Sequence, residues 1–372
     1  MSTFYPNYPT HAGYSVLSTP LRCDAPPEIT GRGVVMAFID SGFYPHPDLE
    51  GRILCHVDAT SSNIVEGRRF NKAAWYSWHG QMTSVVAAGA GADFPGIASA
   101  AKLVLIKVST ARGRIKERDI LRGFRWLLAN YQRFGVRVVN VSVGGDVESF
   151  DPDHPLHHAV EQAVAAGMVV CVAAGNSRHP HLVPPASAPS AITVGGVNDQ
   201  NTLDPQWRQM YHSNWGTAYD GTRKPELIAP AQWIAAPILP GSRMAREAHW
   251  LVQLFGADDM QIRRVLREGY DALNIPRVQA LRPTEALYTL LQHRINTDKL
   301  IDAEHQHVDG TSVSVAIVSS IVAQLLEVRP NLTPHEVRAL LMATAEPLPG
   351  IEAERQGCGI IQSARALAVL QG

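Results

Sequence analysis

From Gly33 to Gly196 the sequence alternates short apolar runs rich in Val and Ile with longer stretches of helical periodicity, and this constrains the fold more than any other feature. A strand followed by a helix returns parallel to the strand before it, so the pattern calls for βαβ units around a parallel sheet. The runs Val34–Ile39, Lys102–Ser109, Arg137–Val143, Met168–Ala173 and Ala191–Val197 are almost continuously apolar, as strands covered by helices on both faces must be. Glu117 to Phe134 sets Ile120, Leu121, Phe124, Leu127, Leu128 and Tyr131 on one helical stripe, and Pro155 to Ala166 is a second helical candidate. The fold class expected is α/β, a doubly wound and mostly parallel sheet.

Other segments depart from this pattern. Residues 1–28 are rich in Pro, Tyr and Thr and read as an irregular N-terminal arm. Between about 241 and 304 the β-branched runs disappear and apolar residues recur at helical spacing, through Trp250, Leu254, Ile262, Leu266, Leu287 and Leu291. This predicts a helical insertion that Pro276 and Pro283 break into about three short helices. Ser312 to Leu326 is small and apolar on most sides, a helix for the core. Thr333-Pro334-His335-Glu336 combines an N-cap, a proline at the first helical position and a capping-box glutamate, so a helix should run from there to about Ala343.

Composition excludes several function classes. With 372 residues, 45% hydrophobic and 18% charged, the chain is not a disordered tail. Its 33 basic and 34 acidic residues leave a formal net charge of -1, so neither nucleic acid nor a membrane surface is an expected partner. The N-terminus has no basic segment followed by an apolar core, and no uninterrupted run of about 18 apolar residues is found, which argues against secretion and against a membrane span. Cys23, Cys55, Cys171 and Cys358 lie far apart without metal-ligand spacing and are expected as buried free thiols. The chain therefore reads as cytoplasmic.

Three segments could carry chemistry. Asp40 ends an apolar strand before Ser41-Gly42, at the carboxyl edge where open α/β sheets keep their sites. His79 opens a small, apolar helix through Gly80-Gln81-Met82-Thr83, and Ser312 follows Asp309-Gly310-Thr311 at the start of the buried helix. Singly, each is as well explained by a turn former, a structural histidine or an ordinary N-cap. Together they supply what hydrolytic acyl transfer needs: a Ser nucleophile, a His base, and an Asp that fixes the imidazole tautomer and stabilises its cation. The chain order Asp, His, Ser excludes the chymotrypsin order, and no GxSxG elbow precedes the other two as an α/β-hydrolase would require. A dinucleotide-binding reading of Gly31-Arg32-Gly33 fails because these glycines precede their strand.

In this order the motifs resemble those of the subtilisin-like serine peptidases, the subtilases, over most of residues 29–372 outside the insertion. Thr30 to Val34 with Asp40-Ser41-Gly42 and His46-Pro47-Asp48-Leu49 is similar to the family's aspartate segment. His79-Gly80, Gly310-Thr311-Ser312 and Gly357-Cys358-Gly359-Ile360-Ile361 resemble its histidine, serine and C-terminal glycine segments. The resemblance implies a serine endopeptidase domain at 29–372 interrupted by the helical block, with Asp40, His79 and Ser312 as its triad. It also implies that Asn176, in Ala173-Ala174-Gly175-Asn176, stabilises the oxyanion. Ser142, Val143, Gly144 and Gly145 would form an edge strand for extended substrate, and with Ala173, Ala174 and Gly175 they would flank a pocket for an apolar residue.

The sequence departs from the family at Gln81, Ser84 and Val85 after the histidine, and it lacks the proline that usually follows the serine segment. Only about 28 residues precede the core, which resembles intracellular or peptide-maturation members rather than secreted ones with a long prodomain. A dedicated processing protease acting on a peptide or protein is the expectation, with a protein partner at the insertion. The alternative is a pseudoprotease that binds peptides or proteins. No cofactor is required; a structural calcium fits the resemblance, but its loop oxygens have no readable spacing.

Overall fold

The structure, a computed structural model, describes residues 15–67 and 73–371. The expectation for residues 1–14 of the arm lies outside the described residues. In chain order the elements of the first half are α1 (Thr19–Arg22), β1 (Val35–Asp40), β2 (Ile53–Asp58), β3 (Val65–Glu66), α2 (Ser77–Ala88), β4 (Lys102–Lys107), α3 (Glu117–Phe134), β5 (Val136–Val141), α4 (Pro155–Ala165), β6 (Val169–Ala173) and β7 (Ile192–Asn198). Then follow β8 (Gln209–Met210), β9 (Gly216–Thr217), β10 (Arg223–Lys224), β11 (Leu227–Pro230) and β12 (Ile234–Pro237). The helices α5 (Arg243–Leu251), α6 (Asp259–Gly269), α7 (Arg277–Leu281) and α8 (Glu285–Asp298) precede β13 (His305–Val308). The chain closes with α9 (Thr311–Val328), α10 (Pro334–Thr344), α11 (Ala353–Gln356) and α12 (Ser363–Gln371).

Nine strands form one sheet in the order β11-β7-β6-β5-β1-β4-β2-β3, with β8 paired to β7. All pairs along it are parallel except the short β2–β3 and β7–β8 pairs. The fold is therefore an α/β, mostly parallel, doubly wound sheet, as expected. The five strands read from sequence end within two residues of where they were placed. Two core strands, β2 and β11, were not foreseen: β2 carries Cys55 and His56 in place of a continuous apolar run, and β11 is four residues bounded by prolines.

Side-chain alternation along β1 sorts the layers. Val35, Ala37 and Ile39 join a core with Ile120, Phe124 and Leu127 of α3 and Leu156 and Val160 of α4. The next residue, Asp40, must face the other layer, where α2 packs on β1 and α9 on β5, β6, β7 and β11. Among the described residues one helix, α9, is long and apolar enough to cross a membrane, although serines and Gln324 punctuate it. Its window is 83% buried within the protein, so it is the core helix that the sequence suggested. The predicted capping box of α10 is present: Glu336 N donates to Thr333 Oγ1 at 3.2 Å and Thr333 N to Glu336 Oε2 at 2.7 Å.

Three expectations need correction. Thr19–Arg22 is a helical turn rather than irregular chain, because Pro20 pre-sets its first turn and Arg22 is held by distant partners described below. The block at 241–304 contains four α-helices, not three. Besides the breaks at Pro276 and Pro283, Asp258 and Gln261 form a reciprocal capping box that starts α6 afresh after α5. Of the four free cysteines, Cys358 is only half-buried.

The chain divides into two compact units, one of Leu17–Ile234 with Asp309–Gly372 and the other containing Ala235–Val308. The second has its own core, in which Ala248, Leu251, Leu254, Ile262, Leu266, Leu287, Leu291 and Ile295 converge from α5, α6 and α8 and the turn after α5. Its terminal strands β12 and β13 pair with each other.

Candidate active site

Three neighbouring parallel strands, β6, β5 and β1, end at one edge of the sheet, and the predicted reacting groups follow from that. Asp40 is the last residue of β1 and is fully buried. A buried carboxylate is costly unless its lone pairs are met, and here three donors meet them. Ser41 N donates to Oδ1 at 2.6 Å, Thr83 Oγ1 to Oδ2 at 2.8 Å, and His79 Nδ1 lies 2.6 Å from Oδ1. Because Asp40 accepts, Nδ1 carries the proton and Nε2 is left as the basic nitrogen. Burial alone would lower the imidazole pKa, but the charge of Asp40 and its hydrogen bond outweigh it and hold His79 above the ordinary 6.5. The ring keeps contact with solvent, its side chain 31% exposed.

His79 can approach Asp40 because Gly80 lets α2 come close. A Cβ at Gly80 would stand 2.2 Å from Gly42 O and 2.9 Å from the Phe43 ring. Thr83 lies one helical turn after His79 on the same face, so both reach the same carboxylate. It is a functional residue that the sequence reading quoted without assigning. The i, i+4 spacing was the signal.

Ser312 is the second residue of α9 and is half-buried. The strand ends fix its surroundings. Past β5, Ser142 Oγ donates to Ser312 O at 3.4 Å. Past β6, Asn176 is bound to the residue before the serine: Thr311 N donates to Asn176 Oδ1 at 2.9 Å, and Thr311 Oγ1 donates to the same oxygen at 3.1 Å. A backbone N–H as donor identifies that atom as the oxygen, so the amide nitrogen turns the other way, and Nδ2 has no hydrogen bond among the described residues. Gly310 sits at φ 137°, and a Cβ there would stand 3.5 Å from Asn176 Nδ2, in the space that this amide faces. Thr311 and Asn214 were missed as support. Asn214 N donates to Gly175 O at 3.0 Å, and Asn214 Oδ1 accepts from Ser177 N at 2.8 Å; nothing in its sequence context marks it.

Ser142–Gly145 does not form an edge strand of the main sheet. β5 lies between β1 and β6 and ends at Val141, so the segment leaves the sheet as irregular chain. Two of its amides are already used, Ser142 N on Ile39 O at 3.4 Å and Gly145 N on Pro184 O at 2.6 Å. Ala174 is buried, while Ala173 and Gly175 are half-buried behind Asn176. No group of three or more His, Cys, Asp or Glu side chains among the described residues is placed to hold a metal ion.

Comparison with known proteins bears on this arrangement. The model of the Subtilase family matches residues 31–359. The serine protease AprX of Bacillus subtilis (strain 168) is 29% identical over 84% of this chain and 61% of its own length. Subtilisin-like protease 3 of Pseudogymnoascus destructans is 32% identical over 51% of this chain and 43% of its own. The chain thus spans less than two thirds of these relatives. Among solved structures, the protease domain of PatA superposes with a TM-score of 0.63 at 21% identity, covering 92% of this chain and 98% of that one. Fervidolysin from Fervidobacterium pennivorans, a keratinolytic enzyme related to subtilisin, gives 0.62 at 22% identity over 93% and 43%. These two establish likeness of fold. The family match extends from the approach to β1, past the serine helix, to the glycines near the C-terminus, and on that ground the chain belongs to the subtilase family.

Proposed function

We propose that this protein is a serine endopeptidase in which Ser312 attacks the scissile carbonyl, His79 takes and returns the proton, and Asp40 holds the imidazole. The observation that carries the reading is the buried Asp40 with His79 Nδ1 at 2.6 Å, since a buried, fully bonded carboxylate behind a solvent-touching histidine is the arrangement that fixes the tautomer and orientation of an imidazole base. The oxyanion would be held by Asn176 Nδ2 and the Ser312 N–H at the start of α9, where the helix dipole also favours negative charge. Ser142–Gly145 and Ala173–Gly175, small and without fixed charge, would flank an apolar residue before the cut. The chemistry needs no metal or organic cofactor.

The test is covalent labelling by a fluorophosphonate. The wild-type chain should label and the Ser312→Ala variant should not, with kcat falling by about 10⁴ to 10⁶, the size of loss that follows removal of a triad member in subtilisin. Equal labelling of both proteins would remove Ser312 from the mechanism, and a wild type that never labels would leave a peptide-binding pseudoprotease.

A dedicated processing role in a reducing compartment is part of the proposal. For the compartment, support comes from four cysteines that form no disulfide. The unit containing 235–308 would direct substrate or bind a protein partner, since Met260 and Val278 are 76% and 74% exposed on its helices. Replacing 242–305 by a short Gly/Ser linker should change the ratio of activity on a folded protein to activity on a short peptide. An unchanged ratio in the folded variant would reduce the block to decoration.

A further inference from the structure

We infer that Arg22 is a positioning residue for the backbone that leads into Ser312, an inference that rests on Ser312 as the nucleophile. Arg22 ends α1, some 290 residues before the serine in sequence, yet its side chain is only 1% exposed and all three of its guanidinium nitrogens donate. Nε donates to Asp199 Oδ2 at 2.9 Å and Nη2 to Asp199 Oδ1, a bidentate pair with a carboxylate 7% exposed. The same Nη2 donates to Gln232 O at 2.6 Å, and Nη1 donates to Trp233 O at 2.8 Å.

Those two carbonyls belong to a turn that grips the nucleophile's approach. Ala231 O accepts from Gly310 N at 2.8 Å, and Trp233 N donates to Asp309 Oδ1 at 2.9 Å. Trp233 is 2% exposed and sits at φ 59°, a left-handed conformation that a bulky residue keeps only where its surroundings over-determine it. Arg22 supplies that determination from the carbonyl side and Asp309 from the amide side. Asp199 is itself fixed, accepting from Asn201 N at 3.1 Å, while Leu17 N donates to Asn201 Oδ1 at 3.0 Å. The arm, the end of β7, the 231–233 turn and Asp309-Gly310 thus form one polar frame whose last member is two residues from Ser312. A guanidinium can serve a carboxylate in bidentate fashion and two carbonyls at once; an ammonium at the same place cannot, although it keeps the charge.

The experiment compares wild type, Arg22→Lys, Asp309→Ala and the double variant, all as full chains. Sites are counted by fluorophosphonate titration, so that kcat is expressed per competent site. Both single variants should lower kcat per site by about 10- to 100-fold, the size of effect that ångström-scale misplacement of a reacting group produces. KM should stay within about twofold, and the acid limb of the pH profile should stay in place because the Asp40–His79 pair is untouched. The double variant should lose little more than either single one, since both break the same frame. If Arg22→Lys merely reduces the number of titratable sites at unchanged kcat per site, Arg22 is structural and the inference fails; full multiplicativity in the double variant also overturns it. Amide hydrogen exchange gives a reading independent of activity and of the nucleophile's identity. Peptides spanning Asp309–Thr311 should exchange at least tenfold faster in Arg22→Lys, with β1 unchanged. Equal exchange would overturn the coupling, whereas absence of labelling in the wild type with altered exchange would strike only the serine reading.

Discussion

The α/β unit and the helical unit at 235–308 use helices in opposite ways. In the first, α9 is buried on nearly every side and presents its opening residues, Thr311 and Ser312, to the segments that follow β5 and β6. In the second, α6 buries only Ile262, Val265, Leu266 and Gly269 as a single stripe and leaves Met260 76% exposed. A helix enclosed by a sheet cannot shift without opening the core, so groups at its end keep their geometry. A helix held along one stripe can be changed on its outer face at little cost. On the proposed mechanism the reacting groups belong to the first unit, and the difference in burial predicts that variation in the second leaves them alone.

The sharpest way to break this contrast is at Asp40. Asp40→Asn keeps the shape but presents an amide to His79 and invites the wrong tautomer, so kcat should fall by about 10⁴. A loss below tenfold in steady-state kinetics would mean that the buried pair is only structural. Asn176→Ala comes next: kcat should fall about 10² to 10³ with little change in KM, and a loss dominated by KM would make Asn176 a ground-state contact instead.

The pH dependence sharpens the comparison further. His79 must be neutral to accept the serine proton, and its pKa lies above the ordinary 6.5. Activity should therefore be lost as pH falls, along a limb displaced upward from that of an ordinary histidine, and kcat/KM against pH checks it. The stability linkage has the opposite sense: the protonated pair stabilises the fold fully below the unfolded value, and that contribution fades as pH rises through the folded one. Thr83→Val should remove a hydrogen bond worth about 1.5–3 kcal/mol to the Asp40 carboxylate. Its Tm should fall and the acid limb should move further up. A limb that moves down would show that Thr83 does not stabilise the charged carboxylate.

The smallest expected effect on catalysis is in the helical unit. Leu266→Ala, at a fully buried site, should cost about 2–5 kcal/mol of that unit's stability by calorimetry, yet leave kcat on a short peptide within about twofold. A hundredfold loss there would erase the distinction between the two units.

Much of this was legible in the residues themselves. Short apolar runs rich in Val and Ile, set between helical stretches, read as strands covered on both faces, so β1, β4, β5, β6 and β7 could be read locally, as could α10 from its capping box. The order Asp40, His79, Ser312 narrowed the chemistry because triad order differs between folds. What could not be read depends on contacts distant in sequence. β2 and β11 exist because neighbouring strands offer them partners, not because their own residues insist on it. Ser142–Gly145 could not be an edge of the main sheet because β1 and β6 flank β5 on both sides. Thr83 could be placed on the face of His79 by its i, i+4 spacing, but Thr311 and Asn214 acquired their roles only when strand ends brought Asn176 and Gly175 beside them. Arg22 is the extreme case: its neighbours in sequence suggest a loose arm, and only the folded chain places Asp199, Gln232 and Trp233 around one guanidinium. Local periodicity is set by which face of an element must be dry, and that is written in consecutive residues. A hydrogen bond between residues 39, 135 or 211 positions apart is set by where the whole sheet delivers its ends, and only the tertiary structure decides that.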